Sequence, residues 1–128
     1  MAVPILKQGS FLIASIQAAL TDTDVLQLRD DVMAQVTKNR SRGIIVDVTA
    51  LDVLDSFATR ILRDLAHMVR LRGAQMVLVG IQPEVAFAMV KLGLTLEGVC
   101  TALDLEEGLA FLDSQVRTQG EEKKARGR

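Results

Sequence analysis

Few residues of this chain could do chemistry, and Ser56 stands first among them. It follows Asp55 directly, at the predicted start of a helix, where a loop hydroxyl is accessible and the first backbone N–H groups are unpaired. A hydroxyl so placed can accept a phosphoryl group. The same two residues can instead share an ordinary helix cap, and local chemistry does not choose between these readings. A phosphate there would gain about 0.3–1 kcal/mol from the helix terminus. Asp52 and Asp55, at roughly 6 Å in a water-like dielectric, would each repel a doubly charged group by about 1.4 kcal/mol. The internal balance is small and mildly unfavourable, too small to refold a domain. A new double charge inside a partner's interface costs far more if nothing compensates it, so a switch at Ser56 is expected to act between molecules.

Other chemistries fit the residues less well. A serine hydrolase needs a base beside its nucleophile, yet the single histidine, His67, falls on the same predicted helix, about 16 Å further along at helical rise. A phosphoaspartate receiver needs carboxylates at the end of its first strand to hold a metal, and the stretch from Val3 to Ile16 contains no acidic residue. A phosphate-cradling loop of the Walker type is missing. His67 has no Cys or carboxylate at ligand spacing and reads as a solvated or interface histidine. Cys100, the lone cysteine, can form no internal disulfide and falls in a short apolar strand, where it is expected to fill the core. The methionines at 33, 68, 76 and 89 lie within apolar patterns and are assigned to packing. No metal or cofactor is expected. Arg60, Arg63, Arg70 and Arg72 are split over more than one helix face and offset by Asp64, which reads first as solvated surface; Arg60 and Arg63 are candidates for binding a partner.

A chain of 128 residues with 49% hydrophobic content can build one core. A net charge of −1, with both signs mixed along the chain, provides no field to attract nucleic acid or anionic membranes, and the absence of Trp and Tyr removes the usual stacking platforms. The apolar stretch from Phe11 to Leu20 is short and interrupted by Gln17, and is read as part of the fold. No run approaches the roughly 20 apolar residues of a bilayer span. A soluble protein of a reducing, cytoplasmic compartment is expected.

The elements that must position Ser56 can be read in order. Val3 to Lys7 and Phe11 to Ile16, separated by Gln8-Gly9-Ser10, read as a hairpin. Thr21 to Asp24 offer N-cap oxygens, and Val25, Leu28, Val32 and Val36 form one helical stripe that should end between Arg40 and Gly43, closed by the glycine. Gly43 to Val48 is a β-branched central strand, and a loop with Asp52, Asp55 and Ser56 leads out of it. The next helix places Ile61, Leu62, Leu65, Met68 and Val69 on one face and leaves a polar face free, with Gly73 closing it. Met76 to Val79 forms a buried strand, Pro83 begins a helix that runs to about Gly93, and Val99 to Ala102 is a weaker strand. Asp104 and Glu107 suit a capping box for a last helix carrying Leu105, Leu109, Leu112 and Val116. The resulting order, β-β-α-β-α-β-α-β-α, predicts an α/β fold: an N-terminal β-hairpin, then alternating β/α units, giving a mostly parallel central sheet with four helices. Residues 1–118 form the domain, and the charged segment 119–128 is expected to be a disordered tail. The Asp52 to Ser56 loop lies beyond the carboxyl ends of the strands, where function usually gathers in such sheets.

The segment Ile44-Ile45-Val46-Asp47-Val48-Thr49, followed by Leu54-Asp55-Ser56-Phe57-Ala58-Thr59-Arg60, resembles the signature of STAS domains, the family of sulfate transporters and anti-sigma-factor antagonists. The resemblance covers residues 3 to about 117, and the Asp-Ser-Phe-Ala-x-Arg form is most similar to the stressosome core antagonist type. It implies a non-catalytic scaffold that assembles with a sensor-bearing STAS paralogue and with itself into a large complex and sequesters a serine/threonine switch kinase. Phosphorylation of Ser56 would release the kinase, and a cognate phosphatase would reset the site. Asp52, Asp55, Phe57, Thr59, Arg60 and Arg63 are the expected partner-binding residues. The sensor paralogues carry a further regulatory threonine near the first helix; Thr21 and Thr23 lie in about that place but suffice as caps beside Asp22 and Asp24. An alternative within the family is a stand-alone antagonist bound to one anti-sigma kinase. A third reading is a small-ligand carrier with a pocket between sheet and helices.

Overall fold

Each apolar segment of the sequence finds its place in a computed structural model that describes the backbone of residues 3–126 and the side chains of residues 3–120. The elements are β1 (Ile5–Gln8), β2 (Phe11–Ser15), α1 (Asp22–Asn39), β3 (Gly43–Asp47), α2 (Ser56–Leu71), β4 (Gln75–Val79), α3 (Pro83–Lys91), β5 (Cys100–Ala102) and α4 (Leu105–Arg126). They form one five-stranded sheet in the order β1-β2-β3-β4-β5. Only the hairpin pair β1–β2 is antiparallel; the remaining three pairs are parallel.

This order explains the layers. Because each parallel strand is added on the same side of the last, right-handed crossovers carry α1, α2 and α3 to one face of the sheet. There Leu28, Val32 and Val36 of α1, Leu62, Leu65 and Val69 of α2, and Val85 and Met89 of α3 pack on Leu12, Ala14, Ile44, Val46, Met76 and Leu78. The opposite face carries Ile13, Ile45, Val77 and Val79, and α4 covers it through Leu112, which is fully buried. Two glycines let α4 come close. A Cβ at Gly108 would stand 2.8 Å from Val79 Cγ1, and one at Gly43 would stand 2.8 Å from the Leu112 methyls.

Gly43 is therefore a contact residue of β3, not the terminator of α1. The left-handed residue that closes α1 is Arg40, at φ 49°, with its N–H donating to the Val36 carbonyl. Three other expectations also change. Met68 is more than a third exposed, whereas Ala66 and Thr59 take the buried positions of α2. Cys100 is only partly buried because β5 is an edge strand, and its Sγ lies 3.3 Å from Gln75 Nε2. At α4, Asp104 caps the Glu107 N–H as expected, but the Glu107 carboxylate accepts from Leu103 N–H rather than from Asp104. α4 runs through Arg126; the side chains from 121 onward, and all of 127–128, where the charged tail is expected, lie outside the described residues.

Candidate functional site

The loop from Val48 to Asp55 is tied down before it reaches Ser56. Asp47 Oδ1 accepts from Thr49 N–H at 2.9 Å and from Thr49 Oγ1 at 2.6 Å, turning the chain out of β3. Gln82 Nε2 then donates to the Thr49 carbonyl at 2.7 Å and joins this turn to the start of α3. Leu51 and Leu54 are buried in the core, so Asp52 and Val53 between them are held outward on a pinned loop. The geometry of Ser56 is thus set by burial on both sides of the exposed residues.

At the start of α2 the cap is provided by Asp55 alone. Its Oδ1 accepts from Ala58 N–H at 2.7 Å, and its carbonyl accepts from Thr59 N–H at 3.0 Å and from Thr59 Oγ1 at 2.8 Å. Ser56 is the first helical residue and is exposed, and its hydroxyl has no hydrogen-bond partner among the described residues. The shared cap considered for Asp55 and Ser56 does not form. Thr21 is used differently: its Oγ1 accepts from Asp24 N–H and its own N–H donates to Asp24 Oδ2, both at 3.1 Å, a complete capping box. Thr23 is exposed in the first turn of the same helix.

Ser56 stands on a ridge between two hollows. One, of about 430 Å³, lies between the loop and α3 and is lined by Asp52, Val53, Leu54, Asp55, Val85, Ala88, Leu92 and Leu94. Val53 and Leu92 expose about 70% of their surface there, at 69% and 72%. The other, of about 180 Å³, lies between the first turns of α2 and the segment Gly93–Thr95, and Arg60 and Arg63 line it. The first hollow is acidic and apolar, the second basic.

Of the partner-binding residues expected from the sequence, Asp52, Asp55, Arg60 and Arg63 gather around Ser56. Phe57 is half-buried and lines neither hollow. Thr59 is 3% exposed, donates its hydroxyl to the Asp55 carbonyl and so supports the helix start, and it is among the residues lining the second hollow. The α3 wall, with Val85, Ala88, Leu92 and Leu94, was not foreseen; the signal available was the apolar pair Leu92 and Leu94 around Gly93, beyond the helix end. The polar face of α2 is also less free than expected, because Arg70 Nη2 donates to the Gly98 carbonyl at 2.6 Å and the His67 ring lies against Gly98. Ser56 opens α2 and His67 lies near its other end, so the two cannot share a proton. Among the described residues there is no acidic, histidine or cysteine cluster able to hold a metal, and no helix long and apolar enough to cross a membrane.

This five-stranded sheet with one antiparallel edge and helices on both faces is matched by the STAS domain model over residues 2–108. The chain belongs to the STAS domain family. Among individual proteins, it is similar to a serine-to-glutamate variant of RsbS from Moorella thermoacetica, with 36% identity, a TM-score of 0.78, and coverage of 90% of this chain and 97% of that one. It is also similar to a chain in a structure describing the molecular architecture of the stressosome, a signal integration and transduction hub, with 35% identity, a TM-score of 0.72, and coverage of 89% and 99%. The RsbT co-antagonist protein RsbRA of Bacillus subtilis (strain 168) is 31% identical over 99 residues, which span 74% of this chain and 36% of that protein. The chain spans about a third of the length of the curated relatives it matches, at 36% and 29%.

Proposed function

We propose that this chain is a scaffold subunit of a stressosome-type signalling complex, that it holds a serine/threonine switch kinase, and that phosphorylation of Ser56 releases that kinase. The observation that carries this reading is the free, exposed hydroxyl of Ser56, left without a structural duty by the Asp55 cap. The likeness to RsbS and to a stressosome chain supports the assembly, and the name of RsbRA as a co-antagonist of RsbT supports holding a regulatory protein. Asp52, Asp55, Arg60 and Arg63, with the apolar surface of Val53 and Leu92, form the docking surface for the kinase. A phosphate dianion at its centre would be desolvated by a bound partner, so the modification weakens docking without refolding the domain. A sensor-bearing STAS paralogue completes the assembly, a cognate phosphatase resets Ser56, and the complex works in the cytoplasm. The domain needed for this ends at 118.

The test is sedimentation of the chain with its sensor paralogue and the switch kinase, before and after ATP is added. The reading expects a megadalton-scale particle that carries kinase before phosphorylation and loses it afterwards. A small complex with one kinase would support the stand-alone antagonist instead, and kinase retained on fully modified chain would remove the switch.

A further inference from the structure

We infer that the small hollow between α2 and residues 93–95 is the receiving site for the Ser56 phosphate in the same chain, with Arg60 and Arg63 as its clamp; this rests on the reading of Ser56 as a phosphoacceptor. Ser56, Arg60 and Arg63 are spaced i, i+4 and i+7 along one helix, so at 3.6 residues per turn they fall within an arc of about 60°. Helical side chains lean toward the N-terminus, which aims both guanidinium groups back at Ser56. Arg60 is its direct neighbour across one turn. Arg63 starts roughly 10 Å along the axis, within the combined reach of an arginine and a phosphoserine.

Both arginines are available. Neither makes an ion pair or hydrogen bond among the described residues, although Asp64 lies one turn beyond Arg60. Arg63 is half-buried in the wall of the hollow while Arg60 is exposed at its mouth. The opposite wall, Gly93, Leu94 and Thr95, carries no charge, and Thr95 adds a hydroxyl. On the other side of Ser56 stand Asp52 and Asp55. A phosphate on Ser56 therefore faces two carboxylates in one direction and two unpaired guanidinium groups in the other, and it turns toward the latter. Planar guanidinium groups suit a phosphate because each can give it two parallel hydrogen bonds. Modification then occupies the arginines and so withdraws them from any partner, while the groove of Asp52, Val53 and Leu92 keeps its shape.

The test installs phosphoserine at position 56 of the full chain during synthesis, so it needs no kinase, and failure of a kinase to modify Ser56 would be a separate result. Phosphorus NMR across pH reads the second ionisation of the phosphate, ordinarily near pH ~6. The clamp predicts a midpoint lower by about half a unit or more in the intact chain than in Arg60→Gln/Arg63→Gln, since paired cations favour the dianion. Each single variant should move the midpoint part of the way, with circular dichroism confirming the fold. Lys38→Gln/Arg72→Gln, which removes two charges from the far ends of α1 and α2, should leave it unchanged. Equal midpoints in the intact chain and the Arg60/Arg63 variant, or an equal shift from the distant pair, would overturn the proposal.

Discussion

α1 and α2 both begin with an acid beside a hydroxyl, and they use the pair in opposite ways. In α1 the hydroxyl comes first: Thr21 is the cap, Asp24 answers it, and the threonine is consumed by the fold. In α2 the acid comes first: Asp55 caps Ala58, and the hydroxyl one residue later is pushed onto the helix surface with nothing to bind. Chain order decides this, because only the N-cap residue has the extended backbone that lets its side chain fold back on the free N–H groups. Thr21 and Asp55 show that backbone, at ψ 166° and 175°. The same residue types thus give a structural device at one helix and an available nucleophilic oxygen at the other.

Several substitutions would break or sharpen this contrast. The largest stability losses belong to the caps: Thr21→Ala and Asp55→Ala should each cost about 1 kcal/mol, seen as a drop of roughly 3–5 °C in thermal melting. Thr59→Val should cost a similar or smaller amount, about 0.5–1 kcal/mol in denaturant unfolding, because it removes a part-buried hydrogen bond to the Asp55 carbonyl while keeping the shape. Ser56→Ala should fall within about 0.5 kcal/mol of the parent, and a loss near that of Asp55→Ala would mean that Ser56 shares the cap after all. Smallest of all, removing residues 119–128 should leave the melt almost unchanged, since it shortens α4 beyond its core contact at Leu112 and breaks one exposed side-chain hydrogen bond between Arg42 Nη2 and Gln119 Oε1.

Much of the scaffold is legible in the sequence because burial writes a period into it. Val25, Leu28, Val32 and Val36 are all buried as their spacing requires, and the β-branched run from Gly43 fills the centre of the sheet. Features that depend on contacts distant in sequence are not written locally. Gly43 resembles a helix terminator until Leu112, far along the chain, is seen against it. Met68 fits the α2 stripe, yet the helix turns its edge outward. At the site, the Asp-Ser pair and its loop could be read directly, but which of the two caps could not, because one oxygen must be placed against one N–H. The α3 wall of the groove was invisible for the same reason as Gly43: Leu92 and Leu94 acquire meaning only when the sheet brings them beside Val53 and Ser56. Arg60 and Arg63 read from the sequence as solvated surface and as candidate partner contacts; that they share one stripe with Ser56 follows only once the helix is seen to start at Ser56.

The most direct measurement is mass spectrometry of the chain, of Ser56→Ala and of Thr21→Ala after incubation with the switch kinase and ATP. The account predicts one phosphate on the parent and on Thr21→Ala, and none on Ser56→Ala. Equal phosphorylation of Ser56→Ala and the parent would contradict it, placing the modification on a hydroxyl other than the one the Asp55 cap sets free.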